Sequence, residues 1–320
     1  MTTELHRAFT SLGRQSAQTS ADAQVPPYFI SYTVTDESVA VVRAEFGGLA
    51  NSLATRVRFA DVQVRVGSPK LDNTHGDHRG SAVETVQLPL GDDREALTRS
   101  LWLATNTQYG KALDNFLRVK TEAQVRAKEE DTSPDFSQEP PQVQMENPAP
   151  PLNIDRAAWE QRVRALSRVF RDYPDVYQNI VMLTVQNKTE YFVSSEGSRI
   201  VQPHVAARLV VMAVTRADDG MDLFRDQTFE AETVAGLPSQ EIMEAAIREL
   251  GKSLEALRTA PVTQPFDGPA LLSGRAAAVF FHEVLGHRLE GQRQRGDQEG
   301  QTFTKDVGKE VLPDFLSVTD

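Results

Sequence analysis

The chain has 320 residues, with 34 Lys and Arg against 45 Asp and Glu, a net charge of −11 and no cysteine. An acidic balance disfavours a dedicated nucleic-acid binder, which needs a basic face for phosphate neutralisation; the lack of thiols excludes disulfides, thiolate zinc sites and cysteine nucleophiles within the chain. Hydrophobic residues at 40% suffice for a buried core, the length suits two domains, and no run of roughly 20 apolar residues offers a membrane span.

Met1 to Gln24 is mostly polar and has no apolar signal-peptide core, so the expected compartment is the cytoplasm. A short helix is predicted over Leu5 to Leu12. Tyr28 to Thr35 and Ser38 to Phe46 read as strands separated by a turn at Asp36-Glu37. Val62, Val64 and Val66 alternate with Gln63 and Arg65, the period of a half-buried strand. Asp92 and Asp93 are candidate caps for a long helix that carries Leu97, Leu101, Ala104, Ala112 and Phe116 at helical spacings. Lys120 to Glu130 is its charged end.

Asp131 to Asn153 holds Pro134, Pro140, Pro141, Pro148, Pro150 and Pro151. Proline removes amide donors and fixes φ, so this stretch is expected to lack regular structure, as a linker or a surface strap. Beyond it, Trp159, Val163, Leu166 and Phe170 form one helical stripe closed by Pro174. Ile180 to Gln186 and Tyr191 to Ser194 suggest a hairpin around Asn187-Lys188. Leu209 to Val214 is continuously apolar, as in a strand covered on both faces. Pro238-Ser239 opens a helix with Ile242, Ala246, Leu250, Leu254 and Leu257 on its expected inner face. The reading is α+β: two mixed units, 1–130 and 154–320, with largely antiparallel sheets and a connecting strap at 131–153.

One segment stands out chemically. Ala276 to Gly291 is apolar at first, then presents His282, Glu283, His287 and Glu290 within nine residues. A zinc-protease helix places its histidines at i and i+4. Here they stand at i and i+5, about 140° apart on a regular helix. They can chelate one ion only if the helix carries a π-type turn, which Gly286 makes easier. A regular helix offers a different set: Glu283, His287 and Glu290 at i, i+4 and i+7 share one face. His75-Gly76-Asp77-His78 is better read as a polar turn than as a metal clip, and Ser194, Ser195 and Ser198 as a turn around Gly197 than as nucleophiles. Arg288, Arg293 and Arg295 form a small basic run beside the motif, solvated or available to a peptide carboxylate.

This segment resembles the His-Glu-x-x-x-His and Leu-Glu-Gly pattern of the TldD/PmbA metalloprotease family. Gly268 to Leu272, which resembles a strand leading into the helix, Tyr191 to Ser198, and Phe303 to Asp320 are similar to its flanking stretches. Tyr28 to Thr35, Leu71 to Thr74 and Asp135 to Ser137 resemble a bacterial TldD-related subgroup. The resemblance implies His282 and His287 as ligands of a divalent metal, zinc first, with Glu283 as general base and Glu290 as auxiliary or outer ligand. It implies hydrolysis of short or unfolded peptides, a homo- or heterodimer with a family homologue, and no nucleic-acid or membrane partner. The alternative is a non-catalytic homologue or fragment serving as partner subunit. The family's third ligand, commonly a cysteine, comes from beyond this motif. The 320 residues are therefore expected to be an incomplete chain with weak metal binding and little turnover.

Overall fold

The computed structural model describes residues 1–13, 25–76, 82–125, 134–291 and 302–319. Helix α1 (Thr2–Ser11) precedes a long hairpin, β1 (Pro27–Glu45) and β2 (Gly48–Ser68), followed by short β3 (Leu71–Asp72) and β4 (Val83–Gln87). Helix α2 (Arg94–Val125) starts at Asp93, whose Oδ1 accepts from the amides of Glu95 and Ala96. Next come β5 (Val143–Met145), α3 (Arg156–Arg168), the strands β6 (Gln178–Ser194), β7 (Arg199–Arg216) and β8 (Asp222–Ala231), and α4 (Gln240–Arg258).

Among the described residues these strands form one eight-stranded sheet in the order β3-β2-β1-β6-β7-β5, with β4 also on β2 and β8 also on β7. All pairs are antiparallel except β5 with β7. The fold is α+β. The halves before and after the strap share this sheet, because β1 pairs with β6 from Ser31↔Ser194 to Ala44↔Val181.

Alternation along β1 decides where the helices go. Ile30, Tyr32 and Val34 at one end and Val42 and Ala44 at the other point to the same face. The first group joins α1, α2 and the Ala60 to Val66 end of β2 in one core. The second joins α3, α4, β6 and β7 in another. Trp159, Val163, Leu166 and Phe170 are all buried there, as their spacing predicts. Helix α4 differs: it buries Met243, Ile247, Leu250 and Leu254, and Ile242 is 58% exposed. Its inner face is rotated from the expected one, because α4 packs against Tyr173 through Gly251. Strand β7 is not covered on both faces. Leu209, Val211 and Ala213 are buried, and the residues between them are half-exposed.

The two expected mid-strand turns do not exist. Strand β1 runs straight through Asp36-Glu37, and β6 straight through Asn187-Lys188. The sheet register explains both. Asp36 stands opposite Thr189, Glu37 opposite Lys188 and Ser38 opposite Asn187. These polar residues meet each other between the two cores, where a strand needs no apolar face. The sharp turn lies instead at Phe46-Gly47, with φ of 47° and 83°. Two consecutive positive φ values make the type of two-residue hairpin that fits strand twist. It is held from outside. Asn179 Oδ1 accepts from Phe46 N, Ser167 Oγ accepts from Gly47 N, and Arg171 and Arg164 donate to the two carbonyls.

The strap is irregular from Pro134 to Asn153 except for β5; Asp131 to Ser133 lie outside the described residues. Val143 to Met145 is a proline-free run that finds the open edge of β7. Phe136 anchors the strap's start, with its ring 4.7 Å from that of Phe29 and the Arg65 guanidinium 4.6 Å from its centre.

Asp36 sits between the cores with 16% of its side chain exposed, and accepts from Arg56 at 2.9 and 2.8 Å and from Arg58 Nε at 2.8 Å. Hydrogen bonds from Arg56, then those of Arg58, hold its carboxyl below the usual range against the opposing effect of burial. A depressed carboxyl stabilises the fold fully above its unfolded value of about 3.9, and this contribution is lost as pH falls through the lower folded value. Asp36→Asn is expected to cost about 1–3 kcal/mol at neutral pH. In urea titrations the gap to wild type should persist down to about pH 4 and close below it. A gap that stays constant to strong acid would show that this ion pair does not set the acid limb.

Candidate metal centre

Residues Ala260 to Ser273 run without regular structure, so the expected strand near Ala270 is absent. No strand of the described residues pairs with this stretch, and Leu271 is fully exposed. Helix α5 (Gly274–Phe281) then begins at Ser273, whose Oγ accepts from Ala276 N. Three alanines favour the helix. Its apolar side is open, with Val279 57% and Phe280 48% exposed, while Leu285 is covered. Arg275 lies 4.0 Å from Asp226 of β8, which places the helix near that edge of the sheet.

His282 to Gly286 is a π turn, followed by a last short helical segment, α6 (His287–Leu289). The His287 amide donates to His282 O, five residues back. One extra residue in the turn moves position i+5 back beneath position i. The two imidazoles meet, with ring centroids 4.5 Å apart and planes at 68°. Gly286 itself has φ −52° and ψ −59°, ordinary helical backbone. Its contribution is its low helix preference rather than any conformation that only glycine reaches.

His282, Glu283 and His287 each offer a ligand atom, and these three atoms lie within 4.8 Å of one another. His282 and Glu283 are exposed and His287 is half-buried. His287 Nδ1 donates to Glu290 Oε1 at 2.7 Å, and its Nε2 lies 3.9 Å from Glu283 Oε2. The helix ends at Glu290, with ψ of 119°, which lets this carboxylate fold back onto the ring. Glu283 and Glu290 therefore address opposite nitrogens of His287. The set Glu283, His287 and Glu290 does not close on one point. Donors of these types could hold a divalent ion; tetrahedral zinc with nitrogen ligands at about 2.0–2.1 Å needs them closer together than 4.8 Å.

The other candidates resolve as structure. His75 Nδ1 and Asp135 Oδ1 are 2.8 Å apart, tying the strap to the loop after β3; Asp77 and His78 lie outside the described residues. Ser195 Oγ accepts from Ile30 N, Ser194 Oγ from Ser198 N, and Ser198 Oγ from Gln142 N, around Gly197 at φ 104°. Arg293 and Arg295 also lie outside the described residues.

No family model and no curated protein sequence matches the chain. Solved structures that align with part of the chain include three. TldE from Thermococcus kodakarensis is 11% identical with a TM-score of 0.45, over 71% of this chain and 44% of that one. A proposed modulator of a DNA gyrase from Thermotoga maritima gives 11% and 0.44, over 74% and 46%. A protein of the same description from Bacteroides thetaiotaomicron gives 8% and 0.42, over 78% and 49%. The chain thus spans under half the length of each, and similarities this low say nothing about activity. No helix of the described residues is long and apolar enough to cross a membrane.

Proposed function

We propose that this chain carries the metal-binding helix of a TldD/PmbA-type metallopeptidase that acts on short or unfolded peptides. The observation that supports it is the π turn at His282 to Gly286, which brings together two histidines that a regular helix would hold apart. π turns are rare and concentrate at functional sites. In this reading His282 and His287 hold a divalent ion, zinc first, and Glu283 is the general base. Such an ion polarises a carbonyl oxygen and makes water acidic near neutral pH. Glu283 takes the proton of the attacking water at its carboxylate and returns it to the leaving amine. Glu283 is also close enough to ligate, and replacing it separates the two roles.

Glu290 is assigned to positioning. By accepting from Nδ1 it fixes the tautomer of His287 that leaves Nε2 free for the ion. Glu290→Ala is expected to weaken metal binding about 10–100-fold. Long-range proton–nitrogen correlation spectra of the metal-free protein should show His287 protonated at Nδ1 in wild type and mixed in the variant. Equal spectra would remove the positioning role.

A non-catalytic subunit of such an enzyme is the second reading. It is favoured by the openness of the site: His282 and Glu283 are exposed, and no residue of α5 is buried. Metal stoichiometry by plasma mass spectrometry, together with cleavage of a short unstructured peptide, tests both. Bound metal with cleavage supports the enzyme, bound metal without cleavage the subunit, and no metal neither.

A further inference from the structure

Helix α5 leads into the candidate metal donors, yet it is too small to stand by itself. It has eight residues and none is buried; across the π turn and α6, Leu285 alone is covered. Helices shorter than about 12–15 residues are marginal in water unless an apolar side packs on something larger. Here Val279, Phe280, Phe281 and Val284 are 57%, 48%, 39% and 43% exposed. Every residue from Thr259 to Ala276 is exposed, including Pro261, Pro265 and Pro269. The helix therefore hangs on an extended tether.

The sheet offers an apolar surface within its reach. In β6 and β7, Val181, Leu183, Leu209, Val211 and Ala213 are buried in the core with α3 and α4. The residues between them turn to the opposite side. Ile180, Met182, Val210, Met212 and Val214 lie there, all half-buried, and Phe224 of β8 is 65% exposed. They form one patch, because Ile180 pairs with Met212, Met182 with Val210 and Val214 with Phe224. Asp226 is the direct cross-strand partner of Met212, so its carboxylate stands on the same side. Arg275 in the first turn of α5 lies 4.0 Å from that carboxylate. The helix thus begins at the rim of the open apolar face.

We propose that α5 is a lid that closes on this face, pivoting about Arg275 and Asp226 and seating Val279 and Phe280 over Met212 and Val210. Val279 stands four residues beyond Arg275, on the same side of the helix. Both surfaces are apolar and both are uncovered, and joining them removes the two from water together. Closing carries His282, Glu283 and His287 from open solvent toward the sheet, and lids of this kind sequester a reaction from water. That use of the closure rests on the metallopeptidase reading. The closure itself does not, and it is tested without metal or peptide.

Because the chain has no cysteine, Met212→Cys with Phe280→Cys makes a clean trap. Oxidation of the dilute, metal-free chain is expected to link the two within one molecule, which needs Cα atoms within about 7 Å. Phe280→Cys with Trp102→Cys, on α2 across the sheet, should not link. Hydrogen exchange gives a second reading. Met212→Lys leaves the helix sequence alone, and Phe280→Ser exchanges residues of similar helix preference. Each should speed exchange of the Ala277 to Phe281 amides about 10-fold or more, with an unchanged circular dichroism spectrum. A Met212→Cys, Phe280→Cys pair that links only between molecules, or not at all, overturns the proposal. So does exchange indifferent to either variant.

Discussion

Glu283→Gln is expected to abolish peptide hydrolysis while leaving the metal in place. The amide keeps the size of the carboxylate and cannot accept a proton from water. General-base catalysis contributes about 10²–10⁴-fold, and the loss should fall in that range. His282 and His287 are untouched, so the π turn and the meeting of the rings should survive. Paired assays of metal content and peptide cleavage read the two properties separately. Loss of metal together with activity would make Glu283 a ligand, which its carboxylate oxygen, 3.9 Å from His287 Nε2, is near enough to be. Undiminished cleavage would remove it from the mechanism.

His287→Ala should have the largest effect on metal binding. The ring supplies a donor at Nε2, and its Nδ1 holds Glu290 at the helix end. Removing it deletes a direct donor and leaves the Glu290 carboxylate without this partner. The rise in metal Kd should exceed the roughly 10–100-fold typical of outer-shell changes. Competition against a chromophoric chelator measures it. The side chain is 35% exposed and belongs to neither buried cluster, so the unfolding midpoint should hold. Unchanged affinity would exclude His287 as a ligand and leave the π turn without its proposed purpose.

Most elements were legible because their patterns are local. The α3 stripe, the Asp93 and Ser239 caps, and the alternation in β2 follow from periodicity and hydrogen-bond chemistry within a few residues. Errors arose where a distant strand supplied the reason. Asp36-Glu37 and Asn187-Lys188 each resemble a turn when seen alone. Their registers overlap at Glu37↔Lys188, 151 residues apart, and each stretch makes the other acceptable in mid-strand. The inner face of α4 was misjudged because Tyr173 fixes its rotation through Gly251. The strand near Ala270 did not form for the opposite reason: an apolar run makes a strand only when a partner pairs with it, and no described strand does so there.

By itself the sequence determined the α+β class, the absence of thiol chemistry, and the concentration of ligand-type residues between His282 and Glu290. It also stated the condition on that segment, since five residues of separation defeat a regular helix. It left two donor sets open, each consistent with its own helix geometry. The structure brings only one set together, His282 with Glu283 and His287, through the hydrogen bond from His287 N to His282 O and the bond from His287 Nδ1 to Glu290. The first draws the imidazoles together, and the second turns Glu290 away from the point where they meet. Such a choice rests on a difference of one residue in a helical turn. Composition and periodicity are nearly the same in both cases, so the backbone hydrogen bonds fix which side chains lie together.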